Sequence, residues 1–278
     1  MSSEAPVSRI VTCYKQWTFL GHWLKDDALF GPGVEWLVVN DAPGHAPPPD
    51  VSDLMARRGV RLLTVLSNMG RSRARNHGAR EARGTWLDFV DGDDHPLPLD
   101  PATVLNRDCE LLAGPVRLAD ATRTPFADAS RAPIEAFDNW ADLLPRFAPI
   151  NVAPSALLWR REYFLALDGY DARFDGGEDL QLAYRAMTHG ARLERMPCPK
   201  QCYFLRGGRM TFEPQHIYSH RRVLEYIARE TADPAIRAAA ERWLGKQVMY
   251  EIGAATYSAW EHRRLAFRYL AFRLRSLF

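Results

Sequence analysis

Acidic residues follow one short apolar segment of the sequence. Asp91, Asp93 and Asp94 come directly after the run Thr85–Val90, whose composition is typical of a buried strand. Because side chains alternate along an extended chain, Asp91 and Asp93 can face the same way. Two carboxylates about 5 Å apart repel each other by roughly 3 kcal/mol at an effective dielectric of about 20, so we expect a cation or protons between them. A Mg²⁺ or Mn²⁺ ion completed by substrate phosphates would supply that charge, and a solvated turn that caps a helix is the alternative.

A second cluster of charge consists of Arg71, Arg73 and Arg75, which occupy the opening of a segment with helical character. The dipole of a helix disfavours cations at its amino end and favours anions there. An anionic ligand such as a diphosphate, which guanidinium groups bind well, would relieve this conflict. The alternative is that all three side chains point into solvent.

Two further segments combine glycines with charged side chains. Glu178 and Asp179 follow a glycine pair at the start of a predicted helix. They either cap that helix or place one carboxylate in a pocket as a general base, which removes a proton from an attacking hydroxyl. Arg206 and Arg209 flank a second glycine pair, which suits close approach of the backbone to phosphate and equally suits a plain turn.

The segments that carry these residues alternate between predicted strands and predicted helices. Such alternation implies a mostly parallel sheet covered on both faces, and ligands of such sheets bind at the carboxyl ends of the strands. Those ends carry Thr12 and Tyr14, Asn40 and Asp41, and the acidic cluster that begins at Asp91. The predicted strands are 8–13, 34–40, 60–66 and 85–90, and the predicted helices are 16–30, 50–58 and 71–83.

The second half of the chain is less regular. We predict an amphipathic helix over 134–147, a strand over 155–159 and a helix that begins near Glu178. From Pro214 the pattern is helical, with a break near Asp233 and Pro234. We therefore expect two units, an α/β domain over 1–213 and a C-terminal helical extension over 214–278.

Composition excludes several classes of protein. The 278 residues are 47% hydrophobic and 25% charged, as in a folded rather than a disordered chain. The formal net charge of +2 gives no indication of nucleic-acid binding. No apolar run approaches the roughly 18 residues of a membrane-spanning helix, and residues 1–6 do not resemble a secretion signal, so we expect a cytoplasmic protein. Cys198 and Cys202 lack further ligands for a zinc site, and G-x-G-x-x-G, P-loop and H-E-x-x-H motifs are absent.

Four segments, in this order and at this spacing, resemble the motifs of family 2 glycosyltransferases, which have the GT-A fold. The sequence of Val38–Pro43 is similar to the family's V-V-D-D-G-S strand end. The sequence of Asn68–Gly78 is close to N-x-G-x-S-x-A-R-N-x-G, and that of Ala82–Asp94 is close to A-x-G-x-(aromatic)-(aliphatic)-x-F-L-D-x-D-D. Gly176–Arg185 resembles E-D-x-D-L-x-x-R. The resemblance extends over about residues 7–213.

The resemblance implies a Rossmann-like GT-A domain that transfers a sugar with inversion. The donor would be a nucleotide-diphosphate sugar, with a UDP-sugar favoured, and the acceptor would be a hydroxyl of a carbohydrate or glycoconjugate. Carried over by position, Asp179 is the general base, Asp93 and Asp91 hold Mn²⁺ or Mg²⁺, and Arg206 and Arg209 contact the diphosphate. The nucleotide-binding residues carried over in this way are Thr12, Tyr14, Asp41, Arg73, Arg75, Asp91 and Gly92.

The sequence departs from the family pattern at several positions, among them Ala42 and Pro43, which replace Gly-Ser after the strand end. Asn40 replaces the first Asp of the strand end, and Gln181 replaces the second Asp of the E-D-x-D element. Arg206 stands where the family has a histidine that supports the metal or the diphosphate. We predict that Arg206 binds the diphosphate directly.

The last segment, 260–278, carries five arginines against one glutamate, and its apolar residues recur at helical spacing. A basic amphipathic helix of this kind can lie on an anionic membrane surface, which would place the protein at the inner face of the membrane. The alternatives are packing against its own domain or in a homodimer.

Two other functions are compatible with a sheet of this type. A nucleotidyltransferase would consume a nucleoside triphosphate and release pyrophosphate. A non-catalytic module would bind a nucleotide sugar or a partner without turning it over, but it would have little need for the clustered carboxylates Asp91, Asp93 and Asp179.

Overall fold

The structure is a computed structural model, and its strands and helices alternate through the first hundred residues. It describes residues 5–114, 116–120, 134–135, 157–174, 176–196, 201–205 and 214–253. The strands are β1 (Val7–Cys13), β2 (Val34–Asn40), β3 (Arg61–Thr64), β4 (Trp86–Asp91), β5 (His95–Pro96), β6 (Leu111–Ala113), β7 (Val116–Asp120), β8 (Ile134–Glu135), β9 (Leu157–Arg160), β10 (Leu193–Arg195) and β11 (Gln201–Leu205). The α-helices are α1 (Trp17–Trp23), α2 (Pro49–Arg57), α3 (Gly70–Glu81), α4 (Arg161–Ala166), α5 (Glu178–Thr188), α6 (Pro214–Glu230) and α7 (Pro234–Gly253).

Within the described residues, seven strands form one sheet in the order β10–β6–β9–β4–β1–β2–β3. The pairs β1–β2, β1–β4, β2–β3 and β6–β10 are parallel, whereas β9 runs antiparallel to both β4 and β6. Four further strands form a second sheet in the order β5–β11–β7–β8. The predicted fold class, a mostly parallel α/β sheet flanked by helices and followed by C-terminal helices, is confirmed.

The central strands are apolar along nearly their whole length because helices cover both faces of the sheet. Ile10 and Phe89 point to one face, where they belong to a core cluster that also contains residues of α3, α4 and α5. Val11 and Val90 point to the other face and pack with residues of α1 and α2. This alternation along β1 and β4 fixes which side chains remain at the strand ends for chemistry.

Helix α3 packs closely against the sheet at Gly78, which has no side chain to separate them. A Cβ atom added at Gly78 would lie 2.5 Å from Cγ2 of Ile10 and 3.1 Å from Cγ2 of Val39. A side chain at this position would therefore push α3 away from β1 and β2. The same helix carries the three arginines whose positions matter below.

The two C-terminal helices pack onto the same core as the sheet. Leu224 and Ile227 of α6 and Ile236 and Leu244 of α7 belong to the cluster that contains Leu180 of α5. The predicted break between the helices is confirmed, since α6 ends at Glu230 and α7 begins at Pro234. Oδ1 of Asp233 accepts a hydrogen bond of 2.7 Å from the backbone N–H of Ala235, which caps α7. The domain boundary before Pro214 stays a prediction.

Two predicted helices differ from the structure. In the span 16–30, the α-helix covers Trp17–Trp23 alone and a 3₁₀ turn follows at Asp27–Leu29, because Oδ1 of Asp26 accepts from the N–H of Ala28 and starts a new turn. The helix predicted over 134–147 is wrong at its first two residues, which form β8 and pair with β7. Strand pairing overrides the amphipathic pattern there, and residues 136–147 lie outside the described part of the chain.

In the part of the chain that the structure describes, no helix has both the length and the apolar character needed to cross a bilayer.

Candidate active site

The ends of three neighbouring strands form the floor of the candidate site. The parallel register places Thr12 of β1 beside Asp91 of β4, and Cys13 beside Asn40 of β2. Backbone hydrogen bonds continue past the strand ends, from the N–H of Asp41 to the carbonyl of Cys13 and from the N–H of Gly92 to the carbonyl of Thr12, both 2.9 Å. The polar segments predicted to converge are therefore adjacent.

Gly92 is required by the packing of these segments against each other. A Cβ atom added here would lie 2.7 Å from the carbonyl oxygen of Thr12 and 2.7 Å from Oε1 of Gln16. Oε1 of Gln16 also accepts a hydrogen bond of 3.1 Å from the N–H of Tyr14. Gly92 thus allows the acidic loop to lie against the residues that follow β1.

We expect Gly92→Ala to lower the affinity for a nucleotide by at least about tenfold, because the new methyl group must displace the backbone at Thr12. Calorimetric titration with UDP and Mn²⁺ would measure the loss. Gly44→Ala is the matched control, since a Cβ added at Gly44 meets nothing within 4 Å. Equal affinity of the Gly92→Ala variant and the wild type would show that the loop tolerates the displacement.

Local hydrogen bonds account for the asparagine at position 40, where the family pattern has an aspartate. Oδ1 of Asn40 accepts a hydrogen bond of 3.1 Å from the N–H of Ala42, and its Nδ2 donates one of 3.3 Å to the carbonyl of His45. The indole Nε1 of Trp17 donates to the same carbonyl at 3.0 Å. An ionised aspartate has no proton to donate to His45. Asn40, which is fully buried, therefore shapes the loop after β2.

Three of the residues predicted to bind the nucleotide lie around this loop and the end of β1. Asp41 is buried, and its Oδ1 accepts a hydrogen bond of 2.8 Å from the N–H of Met69, which joins the loop to the start of α3. Thr12 is half-buried. Tyr14 is 49% exposed, with Nζ of Lys15 5.2 Å from the centre of its ring. Their contacts with a nucleotide stay predictions.

The three arginines in the first half of α3 have different surroundings. Arg73 is exposed, and Arg71 is half-buried with Nη1 3.9 Å from Oε1 of Glu178. The side chain of Arg75 is 2% exposed. Its Nη2 donates a hydrogen bond of 2.6 Å to Oδ1 of Asp91, and its Nη1 donates one of 2.7 Å to Oε1 of Glu178. One guanidinium therefore joins the end of β4 to the start of α5.

Arg75 and Asp91 are predicted site residues, whereas the part that Glu178 plays is not predicted from the sequence. A signal was present, because Arg71 and Arg75 are four residues apart and so lie on one face of a helix, away from Arg73. Both residues of that face approach the same carboxylate. The arginine face is thus complementary to the acidic start of α5.

Adjacent carboxylates in α5 differ in their tendency to ionise. Burial opposes ionisation of Glu178, yet Arg71 and Arg75 hold its pKa below the usual value. Burial and the neighbouring charge of Glu178 raise the pKa of Asp179 to about 7. A carboxylate with this pKa can accept a proton near neutral pH, as a general base must.

Asp91 and Asp93 offer the oxygen donors that Mg²⁺ and Mn²⁺ prefer. The side chain of Asp91 is 35% exposed and Asp93 is half-buried, so a ligand can approach both. Among the described residues, no group of three His, Cys, Asp or Glu side chains could by itself hold a metal ion. Two carboxylates with the remaining positions supplied by phosphate oxygens and water fit an ion of this kind.

Several predicted features lie outside the described residues: Arg206, Arg209 and the segment 260–278. The assignment of both arginines to the diphosphate therefore stays a prediction, as do the membrane and homodimer contacts of that segment.

The chain is similar in sequence to known glycosyltransferases. The family model described as glycosyl transferase family 2 matches residues 8–110, and the predicted family resemblance is confirmed. The chain is 28% identical over 235 residues to human polypeptide N-acetylgalactosaminyltransferase 15, covering 75% of this chain and 34% of that protein. It is 26% identical over 172 residues to the pre-mycofactocin glycosyltransferase of Mycobacterium tuberculosis, covering 59% of this chain and 36% of that protein. The chain spans about a third of the length of these curated relatives.

Solved structures show the same fold. TarS 1–349 of S. aureus superposes with a TM-score of 0.62 and 13% identity, covering 96% of this chain and 79% of that one. TarS has also been solved in complex with UDP-GlcNAc. The mannosyltransferase PcManGT from Pyrobaculum calidifontis, solved in complex with GDP-Man and Mn²⁺, superposes with a TM-score of 0.59 and 16% identity, covering 100% of this chain and 82% of that one.

Proposed function

We propose that this chain, whose residues 8–110 match glycosyl transferase family 2, moves a sugar with inversion from a nucleotide-diphosphate donor to an acceptor hydroxyl. One observation carries the proposal: Arg75 joins Asp91, at the end of β4, to Glu178, which directly precedes Asp179. A residue suited to bind the donor and a residue suited to act as base are thereby held on either side of one guanidinium.

Asp179 supplies the general base in this mechanism. The acceptor oxygen attacks the anomeric carbon from the side opposite the diphosphate, the bond from that carbon to the leaving oxygen breaks, and the configuration inverts. The proton of the acceptor hydroxyl passes to the carboxylate of Asp179. When the acceptor is held in line with the anomeric carbon, a reaction between two separate molecules becomes a step within one complex. Proton transfer to the base lowers the remaining activation barrier.

Asp93 and Asp91 would hold the divalent ion. Such an ion stabilises negative charge on the departing diphosphate. Arg73 is exposed at the start of α3, where its Nη1 donates a hydrogen bond of 3.5 Å to the carbonyl of Met69, and it suits an anionic group of the nucleotide better than the buried, paired Arg75 does.

The donor and acceptor are proposed by class. TarS and PcManGT, two proteins of this fold, have been solved in complex with UDP-GlcNAc and with GDP-Man, which favours a nucleoside-diphosphate sugar as donor here. Among these we favour a UDP-sugar, with a carbohydrate or glycoconjugate hydroxyl as acceptor. The metal is Mn²⁺ or Mg²⁺.

A donor-turnover assay tests the function. The purified full chain is incubated with a panel of UDP- and GDP-sugars and Mn²⁺, with and without a chelator, and release of nucleoside diphosphate is measured. We expect metal-dependent release from at least one donor. Release of pyrophosphate from a nucleoside triphosphate would instead identify a nucleotidyltransferase, and tight binding of a nucleotide sugar without turnover, whatever hydroxyl acceptor is added, would identify a binding module.

The pKa of Asp179 predicts how activity depends on pH. The base must be unprotonated, and burial beside Glu178 raises its pKa to about 7. Below that pH the active fraction falls about tenfold per pH unit, so kcat should rise from pH 5 to pH 7 and level off above. Single-turnover rates between pH 5 and pH 9 measure this. A rate that is flat across the range would remove Asp179 as the base.

A further inference from the structure

Arg75 contacts two different elements of the site and can therefore fix the distance between them. Its side chain is 2% exposed and its two terminal nitrogens bind carboxylates that are far apart in sequence, Asp91 of β4 and Glu178 of α5. Each contact is shorter than 2.8 Å, as expected for a charge-assisted hydrogen bond. The guanidinium is rigid and planar, so the separation of the two oxygens is fixed by its geometry.

The segment before α5 is hydrogen-bonded to Asn76, the residue of α3 that follows Arg75. Nδ2 of Asn76 donates a hydrogen bond of 2.8 Å to the carbonyl of Tyr170, and its Oδ1 accepts one of 2.8 Å from the N–H of the same residue. The Tyr170 ring lies against Arg75, with 5.2 Å between the guanidinium carbon and the ring centre. Gly169, at a φ of 61°, allows the backbone to approach Asn76 this closely.

Glu178 depends on Arg75 more than on its other partner. Oε1 accepts from Arg75 at 2.7 Å and is 3.9 Å from Arg71, while Oε2 is buried with no hydrogen-bond partner among the described residues. Loss of Arg75 would leave this carboxylate without its short contact. The first turn of α5, which carries Glu178 and Asp179, would then lose its attachment to β4.

We propose that Arg75 is a positioning residue. By binding Asp91 and Glu178 at the same time, it fixes the position of the Asp179 carboxylate relative to Asp91, on the side of the site where the donor would bind. The inference rests on the proposed function for its consequence in catalysis. It differs from the prediction that Arg75 binds the nucleotide. Here both terminal nitrogens of the guanidinium bind carboxylates, and Arg75 acts on the reaction through these two residues.

Lysine cannot take over this role. Its ammonium is one compact point that meets two separated carboxylates poorly, although it preserves the charge. Arg75→Lys therefore separates positioning from charge, and Arg75→Met removes both. Arg80→Met is the matched control, since Arg80 lies on the same helix with its side chain exposed.

The hydrogen-exchange rates of the amides of Gln181 and Leu182 measure how firmly the first turn of α5 is held, and this measurement does not require catalytic activity. We expect about tenfold faster exchange in Arg75→Lys and Arg75→Met than in Arg80→Met, because the first turn of α5 opens more readily. Unchanged exchange in both variants would overturn the inference. A wild type that turns over no donor would defeat the proposed function, and the exchange result would still decide whether Arg75 holds α5 in place.

Kinetics distinguish positioning from simple neutralisation. We expect kcat to fall about 100-fold in both variants, as a small misplacement of a base does. In Arg75→Met the lost positive charge also raises the pKa of Asp179, so the acidic limb of the pH profile moves to higher pH, whereas Arg75→Lys keeps the limb near its wild-type place. Full kcat in Arg75→Lys would contradict the proposal.

Arg75→Met combined with Glu178→Gln guards against a variant that does not fold. The double variant removes the buried charge of Glu178 together with its cationic partner, so we expect it to fold and to keep the low kcat. A return to the wild-type kcat would show that Arg75 does no more than neutralise Glu178, and the inference would be overturned.

Discussion

Asp179→Asn is expected to lower kcat by about 10²- to 10⁴-fold, the usual contribution of a general base. Asparagine has nearly the shape of aspartate but cannot take the proton of the acceptor hydroxyl. Because Asp179 and Glu178 repel each other when both are ionised, the substitution should not lower thermal stability at pH 8. Single-turnover transfer at saturating donor measures the loss, and thermal unfolding checks the fold.

Asp171→Asn is the matched control for this variant. Asp171 precedes α5 and pairs with Arg173; its own side chain is 16% exposed and that of Arg173 is 76% exposed, and an ion pair with an exposed partner contributes about 0–1 kcal/mol to stability. We expect its kcat to stay within about twofold of the wild type, as for a surface substitution outside the site. Retention of more than a tenth of the activity by Asp179→Asn would show that another group takes the proton.

Arg9→Met is expected to lower the free energy of unfolding by about 3–5 kcal/mol, because it removes the guanidinium that pairs with the buried carboxylate of Asp88. Nε of Arg9 donates a 2.7 Å hydrogen bond to Oδ2 of Asp88, and both side chains are fully buried. The two residues are directly opposite in the β1–β4 pair, in the same register that places Thr12 beside Asp91. Denaturant unfolding measures the effect.

A double-mutant cycle with Asp88→Asn completes this test. The double variant should cost less than the sum of the two single ones, because neither charge then remains buried without the other. A loss below about 1 kcal/mol in Arg9→Met would mean that water reaches Asp88 or that the pair has a replacement partner.

The sheet and the location of the site could be predicted from sequence because both follow from strong local signals. The strands β1, β2 and β4 are apolar runs that end abruptly in polar residues, and parallel strands bring such ends together. The observed bounds of α3, Gly70–Glu81, are close to the predicted 71–83 for the same reason: the glycines at 70 and 84 punctuate the segment.

The contacts within the site depend on geometry that sequence does not carry. The family pattern and the position around the helix set Arg75 apart from Arg73, which is exposed, but neither shows that the Arg75 guanidinium lies between the carboxylates of Asp91 and Glu178. The role of Asn40 likewise depends on where the carbonyl of His45 lies after the turn, a place fixed by Trp17 from another segment. These are products of tertiary packing.

The short elements were the least predictable. Ile134 and Glu135 follow a helical pattern in sequence, but they pair with Val116 and Arg117 and extend a small sheet. Two residues gain little from any local preference, so a partner strand decides their conformation. The segment after α1 is a second example. There the side chain of Asp26 accepts a hydrogen bond that starts a new turn, so the predicted helix does not continue.

The central claim is that Asp91 and Asp93 bind a nucleoside diphosphate together with a divalent ion. Calorimetric titration of the full chain with UDP tests it most directly, in the presence of Mn²⁺ and again with a chelator, for the wild type and for Asp93→Asn. Removing a metal ligand should weaken the complex strongly, so we predict metal-dependent binding by the wild type and at least tenfold weaker binding by the variant, about 1.4 kcal/mol or more. Equal affinity of wild type and variant, or binding that ignores the chelator, would contradict the account.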